Sequence, residues 1–219
     1  AGTNDGICSD ATFTTVGTAS GGTIKWTTSG EGSFDDDTAL NAVYTPASTD
    51  TVVTLTMTVT GTNECETLAP IVDTMVLTVS PAPTADAGPT TASMCSNSTY
   101  QTQGAATNGA VTWSTSGTGT FSYSTIANPI YTPSEADKLA ENVTLTIKVV
   151  GNSGSCVGNV KTDSIVLTIT PNPTVNAGPA TAIICGGTTY QTQGTATNGS
   201  IKWTTSGSGT FDDDTSATP

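Results

Sequence analysis

Pro81-Ala82-Pro83-Thr84-Ala85-Asp86-Ala87-Gly88-Pro89 returns later in the chain as Pro171-Asn172-Pro173-Thr174-Val175-Asn176-Ala177-Gly178-Pro179. The rest of the sequence falls into phase around this pair. Tyr100-Gln101-Thr102-Gln103-Gly104 recurs as Tyr190-Gln191-Thr192-Gln193-Gly194. Trp26, Trp113 and Trp203 each open a Trp-(Thr/Ser)-Thr-Ser-Gly segment. A Gly-x-Gly turn then leads to Phe34, Phe121 or Phe211, and Tyr44-Thr45-Pro46 recurs as Tyr131-Thr132-Pro133. The period is about ninety residues, the size of an immunoglobulin-like sandwich. A sequence repeat of fixed period marks a tandem array of one structural unit.

The phase divides the chain into a first repeat over 1–80, a second over 81–170 and a third over 171–219. Ala1-Gly2 lines up with Ala87-Gly88, so the first repeat is expected to lack its opening Pro-x-Pro edge. The third is expected to be cut about halfway, both chain ends reading as cuts through something longer. Within a repeat, Val53, Leu55, Met57 and Val59 alternate with Thr54, Thr56, Thr58 and Thr60. Val143, Leu145 and Ile147 do the same against Thr144, Thr146 and Lys148, as do Ile165, Leu167 and Ile169 in the last strand. Period-two alternation with one apolar face is the mark of a strand with one buried side. It aims Trp26, Trp113, Trp203, Tyr44 and Tyr131 into the core and leaves Tyr123 at an exposed turn. Asn108-Gly109 and Asn198-Gly199 read as tight hairpins, and Ser134–Leu139 as a single helical turn. Paired prolines at 81/83 and 171/173 stiffen the joints. The expected fold is all-β, with immunoglobulin-like sandwiches end to end as a rod.

Composition agrees. Thr, whose branched Cβ suits the pleated surface, favours strands, and Gly and Pro supply turns. The net charge is −13, from 18 acidic residues against five lysines. Phosphate recognition needs clustered cations, so nucleic acid is excluded as a partner, and an anionic membrane surface likewise. No run of the sequence is long and apolar enough to span a bilayer. The acidity suits a soluble, self-repelling protein.

Five cysteines follow the repeat. Cys8, Cys95 and Cys185 each precede the tryptophan by eighteen residues, and Cys65 and Cys156 fall between the last two strands of their repeats. The in-phase recurrence predicts bridges Cys8–Cys65 and Cys95–Cys156 within repeats, with Cys185 left unpaired by truncation. Free thiols and bridges between neighbouring repeats remain as alternatives. Bridges imply an oxidising compartment.

No chemistry of catalysis is apparent. There is no histidine to act as base or metal ligand, no arginine, and no nucleophile with an activating neighbour. Asp35-Asp36-Asp37 and Asp212-Asp213-Asp214 are the one candidate Ca²⁺ site, but the second repeat carries Ser122-Tyr123-Ser124 there. A solvated turn is the simpler reading, since Ca²⁺ wants six or more oxygens. No other cofactor is expected. A lysine isopeptide crosslink is disfavoured because Lys25 and Lys202 give way to Thr112 in the second repeat.

The ordered set Pro-x-Pro-Thr-x-x-Ala-Gly-Pro, a following Cys, Trp-(Thr/Ser)-Thr-Ser-Gly-x-Gly-(Thr/Ser)-Phe, Tyr-Thr-Pro, Val-Thr-Leu-Thr and a Cys-bearing loop resembles the tandem repeats of very large Bacteroidetes surface proteins. It is similar above all to SprB-like gliding-motility adhesins, and in its sandwich to PKD-like stalk domains. The resemblance covers the whole chain. It implies type IX secretion, an extracellular, outer-membrane-associated location, and movement along the cell body during gliding. It also implies O-glycosylation in Asp-(Ser/Thr)-apolar contexts, matched at Thr38, Thr51, Thr74 and Ser164. The expected function is the non-enzymatic stalk of a surface adhesin. Its partners would be neighbouring repeats and, through other parts of the protein, an external surface or polysaccharide. A filament or surface-layer subunit and a carbohydrate-binding accessory module of a secreted hydrolase are the alternatives.

Overall fold

The computed structural model describes residues 1–62 and 67–219. The first unit contains β1 (Asp5–Cys8), β2 (Phe13–Thr14), β3 (Gly22–Thr28), β4 (Ser33–Phe34), β5 (Val43–Thr45), β6 (Val52–Gly61) and β7 (Ile71–Ser80). They form two sheets, ordered β1-β7-β6-β3 and β2-β5-β4. The second unit repeats the plan with β8 (Thr84–Asp86), β9 (Thr91–Cys95), β10 (Tyr100–Gln101), β11 (Ala105–Thr107), β12 (Gly109–Thr115), β13 (Thr120–Phe121), β14 (Ile130–Thr132), α1 (Glu135–Ala140), β15 (Asn142–Gly151) and β16 (Val160–Thr170). Its large sheet runs β12-β15-β16-β9, faced by β10-β14-β13 and the β11-β8 pair. β17 (Thr174–Asn176) and β18 (Thr195–Thr197) pair in the third unit as β8 and β11 do in the second. The architecture is tandem immunoglobulin-like β-sandwiches.

The alternation reads directly onto the sheets. Val53, Leu55 and Met57 of β6 are buried, as are Met75, Leu77 and Val79 of β7. Their counterparts Val143, Leu145, Ile147, Ile165, Leu167 and Ile169 are buried in the second unit. The first two units each have their own apolar core, one around Trp26 and one around Trp113. The two indoles are 1% and 3% exposed. Trp113, Phe121 and Tyr131 stack across the sheets with centroids 5.8 and 5.2 Å apart, and Trp26, Phe34 and Tyr44 repeat those spacings. The indole N–H donates to Ala39 O, Ala127 O or Ser216 O in the three units. That bond removes the cost of burying the ring's one polar atom. Gly104 is fixed by close approach, because a Cβ there would meet the Trp113 ring.

Two expectations are corrected. Trp203 is only half-buried. In the other units β6–β7 and β15–β16 cover the indole, and residues 171–219 hold no such pair. Asn108-Gly109 is not a hairpin, because β11 and β12 lie in different sheets. Asn108, at φ 56°, instead makes the left-handed corner where the chain passes between layers, and Asn198 repeats it at φ 58°. The short helical turn is present as α1, opened by a capping box in which Ser134 accepts from Asp137 N. Tyr123 is exposed, as read from the sequence.

Candidate functional site: the joint between units

The feature that decides the geometry of the joint is a parallel pairing. β1 runs parallel to β7 with Cys8 opposite Ser80, the last residue of β7. Cys8 therefore lies at the pole where the chain leaves the first unit. The loop between β15 and β16 lies at the facing pole of the second unit, and its 3₁₀ turn Gly154–Cys156 rests on β1 and β7. There Cys8 and Cys156 form a disulfide with Cα atoms 4.9 Å apart.

This replaces the expected pairings within repeats. Cys95 stands opposite Thr170, at the far end of β16, while Cys156 precedes the start of that strand. The eleven residues of β16 span about 36 Å, well beyond disulfide reach. In the first unit the Cys8 sulfur is already committed to Cys156, and Cys65 lies outside the described residues. Cys95 and Cys185 are free and exposed. Parallel pairing of an early strand with the last strand is a long-range register that local sequence patterns do not display.

Polar contacts surround the bridge. Ser155 N donates to Ser80 Oγ at 3.0 Å, and Cys156 Sγ lies 3.2 Å from Ser80 O. Lys161 Nζ pairs with Asp10 Oδ2 at 2.8 Å. This hydrogen bond holds the Asp10 carboxyl below its usual range. The pair is half-exposed, so its contribution is small and weakens with salt. Gly154 has φ 53°, and a Cβ there would strike Ser80 Oγ. The loop can sit this close only with glycine.

The linker itself is held from both sides. Ser9 Oγ of the first unit accepts from Ala82 N at 3.0 Å, and Asn108 Nδ2 of the second donates to Ala82 O at 2.9 Å. At the next joint, Ser96 Oγ accepts from Asn172 N at 3.2 Å and Asn198 Nδ2 donates to Asn172 O at 3.1 Å. The prolines are therefore only part of what stiffens the joint.

A buried carboxylate organises the end of each of the first two sandwiches at which β6 or β15 begins. Asp137 is 2% exposed. It accepts from Thr118 N at 2.9 Å, Ser134 N at 2.9 Å and Tyr131 Oη at 2.8 Å. Burial alone would raise its pKa, but these donors outweigh burial and hold it at about 2. Tyr131 is pushed up to about 12, by burial first and then by its carboxylate partner. Asp50 repeats the arrangement with Glu31 N, Gly32 N, Ala47 N and Tyr44 Oη, and its pKa is lowered too. Both aspartates stand six residues after the Tyr of Tyr-Thr-Pro. That fixed spacing was a legible signal which the sequence reading did not use.

A depressed carboxylate stabilises the fold above its unfolded pKa of 3.8 and loses that contribution as pH falls through about 2. Thermal denaturation between pH 5 and pH 2 is expected to show stability flat down to about 4. Below that, about 2 kcal/mol should be lost on account of Asp137. The Asp137→Asn variant should have the smaller acid slope.

The acidic runs serve as turn caps. Asp35 Oδ1 accepts from Val43 N at 2.7 Å, Asp36 Oδ1 from Thr38 N at 2.9 Å, and Asp37 pairs with Lys25. Asp212 and Asp213 accept from Asp213 N and Thr215 N, and Asp214 pairs with Lys202. In the second unit Ser122 Oγ takes the place of Asp35, accepting from Ile130 N at 3.0 Å. The position needs an acceptor and not a charge. Among the described residues, no three His, Cys, Asp or Glu side chains converge to hold a metal ion.

Thr38, Thr51, Thr74 and Ser164 are all exposed. The aspartates before two of them have partners of their own: Asp73 binds the Ala1 amine and Asp163 accepts from Ala87 N at 2.8 Å. Among the described residues no helix is long and apolar enough to cross a membrane.

No protein-family model matches the sequence, and no curated protein matches it. Solved structures with a similar arrangement of strands are cadherin repeats. Protocadherin gammaB7 EC3-6, described as a cis-dimer, is 13% identical with a TM-score of 0.38, covering 88% of this chain and 53% of that one. Protocadherin Gamma B2 EC3-6 gives 12%, 0.40, 80% and 48%. Human CDH23 EC21-23 gives 11%, 0.39, 89% and 77%. The chain spans about half the length of the first two.

Proposed function

We propose that this chain is a segment of the extracellular stalk of a large surface adhesin, built from repeats 1–80, 81–170 and 171–219. The observation that carries the reading is the Cys8–Cys156 bridge across the joint. A bond that fixes one sandwich to the next serves an element that transmits force and orientation, and it persists in an oxidising compartment. The linker held by Ser9 and Asn108 supports the same reading. Its resemblance to gliding-motility adhesins makes type IX secretion and a role in gliding and surface attachment the finer form of the proposal. O-glycans on Thr38, Thr51, Thr74 or Ser164 belong with it.

Antibody raised against this chain is expected to label intact native cells as projecting threads. Labelling only after permeabilisation would exclude an extracellular stalk, and a continuous lattice would favour a surface layer. Glycopeptide mapping of the native protein tests the four hydroxyls.

A further inference from the structure

We infer that the staple is periodic: Cys95 is the receiving half of a second joint disulfide, whose partner is the cysteine in the β15–β16-type loop of a completed following repeat. The inference deepens the stalk reading by making the joints of the array covalently continuous.

Two independent observations carry it. Cys8, the residue in the same repeat position as Cys95, is bonded, and its partner comes from the next unit. The second joint also reproduces the frame that presents Cys8. Cys95 faces the last residue of β16 as Cys8 faces the last residue of β7. Ser96 N donates to Thr170 O at 2.9 Å, as Ser9 N does to Ser80 O at 2.8 Å. Ser96 and Asn198 grip Asn172 as Ser9 and Asn108 grip Ala82. Thr170 keeps the hydroxyl that Ser80 offers to the incoming loop. Asn97 replaces Asp10, so the ion pair with Lys161 is not repeated and the disulfide is the strong element there. In the third unit β17 and β18 pair in the register that β8 and β11 have in the second.

The bond forms by exchange. A small-molecule or protein disulfide oxidises the two thiols, the Cys95 sulfur joins the loop cysteine sulfur, and the oxidant leaves as two thiols carrying the two protons.

The test extends the full chain after Pro219 with a second copy of residues 130–170, which supplies the strands and loop the third unit needs. The copied Ser155→Gly change clears Ser93, which stands where the first unit has Gly6. After oxidation with glutathione disulfide, non-reducing peptide mapping is expected to link Cys95 to the added cysteine, with Cys8–Cys156 unchanged. A link from the added cysteine to Cys185, or free thiols at both ends, would overturn the inference. A second measurement does not depend on folding of the extension. In the protein isolated from its native surface, Cys95 is expected in a disulfide, and a free Cys95 thiol there overturns the inference. Surface labelling tests the stalk separately, so the two can fail independently.

Discussion

Asp137→Ala is expected to destabilise the second unit by about 3–4 kcal/mol, lowering its melting temperature by roughly 15 °C. The change strips the acceptor from Thr118 N, Ser134 N and Tyr131 Oη together. Tyr131 is fully buried, and among the described residues the only other partner of its hydroxyl is Thr115 Oγ1 at 3.3 Å. Each buried donor left without a partner costs about 1–3 kcal/mol. The N-terminus of α1 also loses one arm of its capping box. Asp137→Asn keeps an acceptor oxygen and should cost about half as much. Urea denaturation of the full chain, followed by hydrogen exchange in β15 and β16, separates this unit from the first. A loss under 1 kcal/mol would mean that the carboxylate does not organise this end of the sandwich.

The second large effect is mechanical. Pulled by its ends, the oxidised chain carries tension from residue 8 directly to residue 156 through the disulfide, and the intervening chain bears none. Cys8 and Cys156 are 148 positions apart. Reduction should therefore release on the order of 500 Å of additional extension at about 3.5 Å per residue. Single-molecule stretching with and without dithiothreitol reads this directly, and Cys8→Ser should behave like the reduced chain. The bridge also closes a loop worth about 5 kcal/mol in the chain-entropy model, so reduction should lower stability as well. Identical extension lengths in both redox states would show that the bridge does not form.

The sandwich was legible in the sequence because its causes are local. Leu145, Ile147, Leu167 and Ile169 alternate with polar neighbours, and alternation is what a half-buried strand requires. Trp113, Phe121 and Tyr131 recur in phase because they stack on one another. The cysteine pairing was not legible. It depends on β1 and β9 lying parallel to β7 and β16, a contact between chain segments some seventy residues apart. Asp50 and Asp137 were missed for another reason. A buried carboxylate looks like any acidic loop residue until its donors are placed around it, and the donors come from a turn nineteen residues upstream.

The hydrogen bonds gripping Ala82 and Asn172 match partner for partner. Equal grips impose an equal rotation and an equal rise from each sandwich to the next. One rotation and one rise applied again and again generate a screw, so a longer run of such repeats winds with a constant pitch. A given face, such as the threonine-lined outside of β6 and β15, then comes round to the same side at regular intervals along the thread.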